Sequence, residues 1–146
     1  MVAKAQRMKP IEVLLVEDNA GDTLLIQQTL AEGRLPVKIH VARDGEQALQ
    51  MLDDPNFSPA LIILDLNIPR IPGSVVLERY HSKKTPIVIF SSSWNEAEIS
   101  RGMELGAREF AQKPTDLQAF SDVVCGIVQK WALREEADSA TGGVSS

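Results

Sequence analysis

The chain has little of three features that would each point to a class of protein. It has one cysteine in 146 residues, so an internal disulfide framework is impossible and a reducing compartment is expected. Its 15 basic residues are outnumbered by 20 acidic ones, a balance that argues against a nucleic-acid-binding surface. Its apolar runs are far shorter than the roughly 20 residues of a membrane span. We therefore expect a cytoplasmic protein that neither spans a membrane nor binds nucleic acid.

The length of the chain corresponds to one domain with a substantial core. Residues 1–10 are expected to form an N-terminal segment and residues 11–133 the folded domain. Residues 134–146 are polar, with little to bury, and predict a disordered tail.

Five short apolar runs occur along the chain, at residues 11–16, 37–41, 60–64, 86–90 and 107–111. The first, third and fourth are almost continuously apolar and rich in Val and Ile, which is typical of strands buried on both faces of a parallel sheet. The second alternates, with Val37, Ile39 and Val41 on one face, and predicts an edge strand.

Helical segments lie between these runs. Their predicted starts are Asp44 with Gln47, Ser93 with Glu96, and Thr115 with Gln118. Gly106 predicts a helix end just after Leu105. The last helix has an apolar stripe expected in the core, formed by Leu117, Phe120, Val124, Ile127, Val128 and Trp131. The repeated strand–helix alternation predicts an α/β fold, a parallel sheet with helices on both faces.

Polar residues follow four of the five strands. They are Glu17, Asp18 and Asn19 after the first strand, Asp65 and Asn67 after the third, Ser91, Ser92 and Ser93 after the fourth, and Lys113 and Pro114 after the fifth. In parallel α/β sheets the binding crevice lies at the carboxyl ends of the strands, so we expect these residues to converge there.

Glu17, Asp18 and Asp65 would then crowd three carboxylates into a small space. Such carboxylates repel one another unless a cation intervenes, and Mg²⁺ binds one or two carboxylates while recruiting phosphate oxygens. Lys113 and the hydroxyl of Ser91 would add the charge and the hydrogen-bond donor that a phosphoryl group needs. The sequence therefore predicts a magnesium site that handles a phosphoryl group.

In this order, these segments resemble the receiver domains of two-component response regulators. The resemblance covers roughly residues 11–133 and includes Gly106 and Ala107. It implies a flavodoxin-like (βα)5 fold with a doubly wound, five-stranded parallel sheet of order 2-1-3-4-5. The segment Asn67, Ile68, Pro69 and Arg70 and the serine-rich exit of strand four look like the single-domain regulators that serve bacterial phytochrome-like histidine kinases.

The resemblance also implies a role for each site residue. Asp65 matches the phosphoryl acceptor, Asp18 and Glu17 the metal-binding acids, Asn67 the residue whose carbonyl binds the metal, Ser91 and Phe110 the switch pair, and Lys113 the lysine that pairs with the phosphoryl oxygens. The implied metal is Mg²⁺ or Mn²⁺, and the implied partner is a histidine kinase or a phosphotransfer protein. A homodimer through helix four, strand five and helix five is also expected, since Trp131 and Leu133 extend the apolar stripe of the last helix beyond what one small domain needs to cover.

Three local features accompany the resemblance. Pro72 precedes Gly73, where the family usually has another residue, and the segment from there to strand four is short. The third helix is therefore expected to end near Tyr80 or His81. The family's bond between Lys113 and Pro114 is usually cis.

Alternative functions follow from single features. A phosphatase of the haloacid dehalogenase type would need an acid at Asn67 to protonate the leaving group. A flavodoxin-like nucleotide binder is disfavoured because Glu17 and Asp18 would repel phosphate. A receiver-like scaffold that is never phosphorylated would not need the full set of site residues. The receiver interpretation implies slow self-catalysed phosphotransfer and dephosphorylation rather than conventional enzyme turnover.

Several residues of chemical interest are expected to be structural. His40 and His81 have no Ser, Cys or metal-ligand partner at a spacing that would indicate a functional site. Cys125 is expected to be a small packing residue on the last helix. Tyr80 and Trp94 are interpreted as helix-packing or surface residues.

Overall fold

The computed structural model describes residues 9–80, 84–93 and 95–133. The N-terminal segment as far as residue 8, the predicted tail, His81 and Trp94 lie outside the described residues. Five parallel strands form one sheet in the order β2-β1-β3-β4-β5. The strands are β1 Ile11–Val16, β2 Val37–Ala42, β3 Leu61–Leu64, β4 Ile87–Ser91 and β5 Glu109–Gln112. The predicted strand order and the edge position of β2 are confirmed.

Five α-helices connect or follow the strands. They are α1 Ala20–Glu32, α2 Gly45–Asp53, α3 Gly73–Tyr80, α4 Glu96–Glu104 and α5 Leu117–Ile127, the last continued by a π-helical turn, Val128–Ala132. None of the helices in the described ranges is long and apolar enough to cross a membrane.

Helices cover both faces of the sheet because successive strand side chains point to opposite sides. One layer contains Leu14, Val16, Leu64 and Ile89 of the strands with Ala48, Leu49, Val76 and Leu77 of α2 and α3. The other contains Val13, Leu15, Ile63 and Phe90 with Ile26, Leu30, Phe120, Val124 and Ile127 of α1 and α5. β3 and β4 are buried along their whole length, which explains their continuous apolar runs.

The start of α2 and the end of α4 agree with the sequence signals. The side chain of Asp44 accepts a hydrogen bond from the backbone N–H of Gln47 at 2.7 Å. α4 ends at Glu104, and Gly106 adopts a φ of 110° that favours glycine.

The predicted starts of α4 and α5 are wrong by one or two residues. Asn95 caps α4 and Asp116 caps α5, in place of Ser93 and Thr115. Amide and carboxylate side chains are good acceptors for the free N–H groups of a first helical turn, and they lie closer to these helices. The hydroxyl of Ser93 instead donates to Glu98 Oε1 at 2.7 Å.

The start of β5 and the exposure of Leu117 also differ from the sequence pattern. β5 begins at Glu109 rather than at Ala107, because the N–H of Ala107 bonds to the carbonyl of Gly102 at 3.1 Å and closes the end of α4. Leu117, the first residue of the predicted apolar stripe, is 68% exposed. It lies in the first turn of α5, before the helix meets the core at Phe120.

The third helix is described from Gly73 to Tyr80, and the predicted end near Tyr80 or His81 falls where residues 81–83 lie outside the described residues. Pro72 does not obstruct its start, since the Pro72 carbonyl accepts the N–H of Val75 at 3.0 Å. Tyr80 is buried in the core and its hydroxyl donates to Asp53. Cys125 packs against the core layer that contains side chains of α1 and α5, as expected.

The expected cis bond between Lys113 and Pro114 is wrong. No cis peptide bond occurs within the described ranges, so this bond is trans. The Lys113 N–H donates to the carbonyl of Ser91 at 2.8 Å. This bond continues the β4–β5 ladder by one residue and fixes the lysine backbone at the sheet edge.

Candidate functional site

The predicted site residues lie at the carboxyl edge of the sheet because the strand pairing continues past the strand ends. The N–H of Asp65 donates to the carbonyl of Val16 at 3.0 Å, and the N–H of Lys113 donates to the carbonyl of Ser91 at 2.8 Å. Glu17 follows β1 directly and its side chain is buried. These side chains therefore enter one shared pocket from neighbouring strands.

Lys113 is at the centre of this pocket. Its ammonium group donates to Glu17 Oε1 at 2.7 Å, to Asp22 Oδ2 at 2.8 Å and to Asp65 Oδ2 at 2.9 Å. The lysine side chain is only 8% exposed. An ammonium group has three N–H donors, and here each of them has a carboxylate acceptor.

Asp22 is a member of this cluster that the strand-end pattern did not reveal. It lies in the first turn of α1, where its N–H bonds to the capping side chain of Asn19 at 2.8 Å. The sequence does contain a signal for Asp22: it is an acid four residues after Asp18, in a helix that begins at the carboxyl edge of the sheet. One helical turn carries such a side chain back over the strand ends.

A second grouping joins Glu17, Asp18 and Asp65. One carboxylate oxygen from each of them lies within 4.8 Å of the other two. Asp18 is exposed, whereas Glu17 and Asp65 are buried. Three converging carboxylates form a hard-oxygen donor set, so these residues fit a divalent cation such as Mg²⁺ or Mn²⁺.

Burial and ion pairing have opposite effects on the pKa of Glu17 and on the pKa of Lys113. Burial raises the pKa of the Glu17 carboxyl above its usual value, although the hydrogen bond from Lys113 opposes this rise. Burial alone would lower the pKa of Lys113, but its hydrogen bonds to Asp22, Glu17 and Asp65 outweigh this effect and raise it. Lys113 is therefore held as a cation.

Asn67 and Ser91 lie beside Asp65. The N–H of Asn67 donates to Asp65 Oδ1 at 2.9 Å, and its side-chain amide lies 3.5 Å from Ser91 Oγ. Ser91 is buried and accepts the N–H of Ser93 at 3.2 Å. Phe110 is half-buried and packs against the core layer that contains side chains of α2 and α3. In the sheet it pairs in register with Ile89.

Comparison with known proteins identifies the family. The model of the response regulator receiver domain matches residues 13–124. The chain belongs to this family. Response regulator Rcp1 of Synechocystis sp. is 30% identical over 131 residues, which cover 84% of this chain and 89% of Rcp1. The transcriptional regulatory protein CpxR of Klebsiella pneumoniae is 36% identical over 133 residues, and the chain spans 55% of its length.

Solved structures give the same result. The phosphorylated cyanobacterial phytochrome response regulator RcpA matches with a TM-score of 0.78 and 33% identity, covering 84% of this chain and 94% of RcpA. The Mn²⁺-bound form of Rcp1 matches with a TM-score of 0.77 and 30% identity, covering 84% of this chain and 95% of Rcp1.

Family membership fixes the general activity. The chain is a receiver domain that accepts a phosphoryl group, and the family implies a histidine kinase as phosphodonor. Its acidic pocket is of the kind that binds a divalent metal in this family. The comparisons give no support to the phosphatase or to the non-phosphorylated scaffold.

Proposed function

We propose that Asp65 is the phosphoryl acceptor of this receiver domain, in a Mg²⁺-dependent transfer from the phosphohistidine of a histidine kinase or phosphotransfer protein. The observation that carries this assignment is the double engagement of Asp65. Its carboxylate accepts a hydrogen bond from Lys113 at 2.9 Å and also belongs to the carboxylate group with Glu17 and Asp18. Glu17 has the same two engagements. Asp65 in addition lies beside Ser91, because the N–H of Asn67 donates to Asp65 Oδ1 at 2.9 Å and the side-chain amide of Asn67 lies 3.5 Å from Ser91 Oγ.

The reaction requires little covalent chemistry from the protein. A carboxylate oxygen of Asp65 forms the new P–O bond while the P–N bond of the phosphohistidine breaks, and the leaving imidazole takes up a proton. Lys113 and the hydroxyl of Ser91 neutralise and hydrogen-bond the oxygens of the transferred group. The product is an acyl phosphate that hydrolyses slowly, so the protein is a phosphoacceptor rather than a conventional enzyme.

The metal would be held by the carboxylates of Glu17, Asp18 and Asp65 and by the backbone carbonyl of Asn67. When bound, Mg²⁺, or Mn²⁺ in its place, supplies positive charge to the carboxylates and to phosphoryl oxygens. Asp18 is the exposed member of this set, so its carboxylate would be the ligand most accessible to a cation from solvent.

The signal is proposed to pass through Ser91 and Phe110. Ser91 moves toward the phosphoryl group, where its Oγ no longer accepts the N–H of Ser93 and its O–H donates to a phosphoryl oxygen, and the ring of Phe110 fills the space it leaves. This exchange would favour a second arrangement of the surface formed by α4, β5 and α5.

The cognate kinase is proposed to be phytochrome-like. The support is the likeness to Rcp1 and to RcpA, which is described as a phytochrome response regulator. The reaction is proposed to take place in the cytoplasm, which agrees with the single cysteine and the lack of a disulfide framework. Phosphotransfer from a purified phytochrome-like kinase, compared with an unrelated histidine kinase, tests the pairing.

A homodimer through α4, β5 and α5 is also proposed. Met103 on α4 and Leu117 on α5 are 42% and 68% exposed, and both are large apolar side chains. Trp131 gives no such support, because it packs against the core and its ring N–H donates to Glu109 at 2.8 Å. Light scattering with and without beryllofluoride tests the dimer, and a monomer in both states would contradict it.

The acceptor assignment is tested with a labelled small phosphodonor and Mg²⁺. The wild type is expected to incorporate label and Asp65→Asn to incorporate none. Asp122→Asn is the matched control, because Asp122 is an exposed acid on α5. Equal labelling of Asp65→Asn and wild type would overturn the assignment.

A further inference from the structure

Asp22 completes the set of three carboxylates around the ammonium group of Lys113. The ammonium group of Lys113 has three carboxylate acceptors, at 2.7 Å on Glu17, 2.8 Å on Asp22 and 2.9 Å on Asp65. A phosphoryl oxygen can bond to this group only if one of the three acceptors gives way, since an ammonium has three donors.

Two of these acceptors are shared with the cation-binding set. Glu17 and Asp65 belong to the carboxylate group that would hold a divalent ion, together with Asp18. Within the part of the chain that the structure describes, that group does not include Asp22. A bound cation would therefore draw electron density from two acceptors of Lys113 and leave Asp22 unaffected.

The local structure keeps Asp22 in place while the other two acceptors change partners. Its N–H is bonded to the capping side chain of Asn19 at 2.8 Å, so its backbone is fixed by the start of α1. Its carboxylate is 29% exposed, against 8% for Lys113, so it lies on the solvent side of the lysine. A first-turn acid is also favoured by the helix dipole.

We propose that Asp22 is a positioning residue that holds Lys113 in the site once the metal and the phosphoryl group engage Glu17 and Asp65. When Asp65 is phosphorylated, Lys113 exchanges its bond to Asp65 Oδ2 for a phosphoryl oxygen and keeps its bond to Asp22. This inference rests on the proposed role of Asp65 as acceptor. It adds to the site a fourth acid that acts through the lysine rather than on the metal.

The test measures label incorporation from a small phosphodonor over a series of Mg²⁺ concentrations. Asp22→Ala is expected to lower the maximal rate roughly tenfold, because it removes one charge-assisted hydrogen bond from Lys113, the residue that pairs with the transferred group. The Mg²⁺ concentration at half-maximal rate should stay within about twofold of wild type, because Asp22 is not among the cation-binding acids. Damage to the carboxylate group would shift that concentration.

Two further variants make the result specific. Glu32→Ala removes one negative charge from the other end of α1 and should keep the wild-type rate, since Glu32 is exposed and far along the helix from Lys113. Asp22→Asn keeps an oxygen acceptor at the same place and should recover part of the lost rate. Circular dichroism checks that each variant is folded, and Asp22→Asn replaces Asp22→Ala if the latter is not.

The possible outcomes separate the two proposals. A wild-type rate in both Asp22 variants would overturn the positioning role and leave Asp65 as acceptor. A shift of the half-maximal Mg²⁺ concentration as large as the fall in rate would also overturn it, because Asp22 would then act on the metal. Absence of label in the wild type would overturn the acceptor assignment itself.

Discussion

The ammonium group of Lys113 lies 2.9 Å from Asp65 Oδ2, although 48 residues separate the two in sequence. The contact exists because β5 and β3 end at the same edge of a parallel sheet, with β4 between them. It joins the cation of the site to the carboxylate that would carry the phosphoryl group.

Lys113 compensates the buried acids of the pocket. Lys113→Ala leaves Glu17 and Asp65 buried without a cation, so the free energy of unfolding should fall by about 3 kcal/mol without metal. Mg²⁺ should then stabilise the variant more than the wild type, because it no longer competes with the lysine. Urea denaturation with EDTA and with Mg²⁺ measures both effects. The control is Lys84→Ala, which removes an exposed lysine; an equal response of the two variants would contradict the account.

Asp18 should matter for metal binding and little for folding. It is exposed, and the three carboxylates that accept from Lys113 are those of Glu17, Asp22 and Asp65. Asp18→Asn should therefore weaken Mg²⁺ binding by about tenfold or more while the metal-free stability stays near that of wild type. Isothermal titration calorimetry gives the affinity and urea denaturation the stability. Unchanged affinity would remove Asp18 from the metal site.

Gly45 should be essential for the approach of α2 to the loop after β3. A Cβ at this position would lie 1.9 Å from the carbonyl oxygen of Ile71. Gly45→Ala should therefore lower the free energy of unfolding by about 2 kcal/mol. Gly126→Ala is the matched control in α5, where a Cβ meets no atom within 4 Å. It should stabilise by roughly 0.5–1 kcal/mol, because Ala is the better helix former. Equal effects of the two substitutions would refute the steric argument.

Tyr80 should make stability depend on alkaline pH. Burial, helped by the hydrogen bond to Asp53, raises the pKa of Tyr80 from 10.0 to about 12. A folded-state pKa above the unfolded value favours the neutral phenol in the folded state. Its contribution is therefore complete below pH 10 and is lost as the pH rises toward 12.

The comparison of wild type with Tyr80→Phe isolates this contribution. The difference in free energy of unfolding should be constant below pH 10 and should change between pH 10 and 12, with the wild type losing stability relative to the variant. Urea denaturation at several pH values measures it. A difference that does not vary over this range would show that Tyr80 titrates alike in both states.

The sheet and most of the pocket could be predicted from sequence for one physical reason. Strands buried on both faces must be apolar throughout, so their ends stand out, and parallel pairing brings those ends together. That logic located Glu17, Asp65 and Lys113. It could not locate Asp22, because a helical residue reaches the site only through the path of α1 and the conformation of the lysine side chain.

The misplaced helix starts have a different cause. Ser93 and Asn95 can each cap a helix, and so can Thr115 and Asp116. Local sequence does not decide between neighbours of similar capping ability. The choice depends on where the preceding strand releases the chain and on competing bonds, such as that between Ser93 and Glu98.

Chemical trapping of the phosphorylated protein identifies the residue that accepts the phosphoryl group. After phosphorylation with a small phosphodonor and Mg²⁺, borohydride reduces an aspartyl phosphate to homoserine, and peptide mass spectrometry locates the reduced residue. We expect homoserine at position 65 and at no other aspartate. Homoserine at Asp18 or Asp22, or a phosphoryl group that resists borohydride and remains as an ester on Ser91, would contradict it.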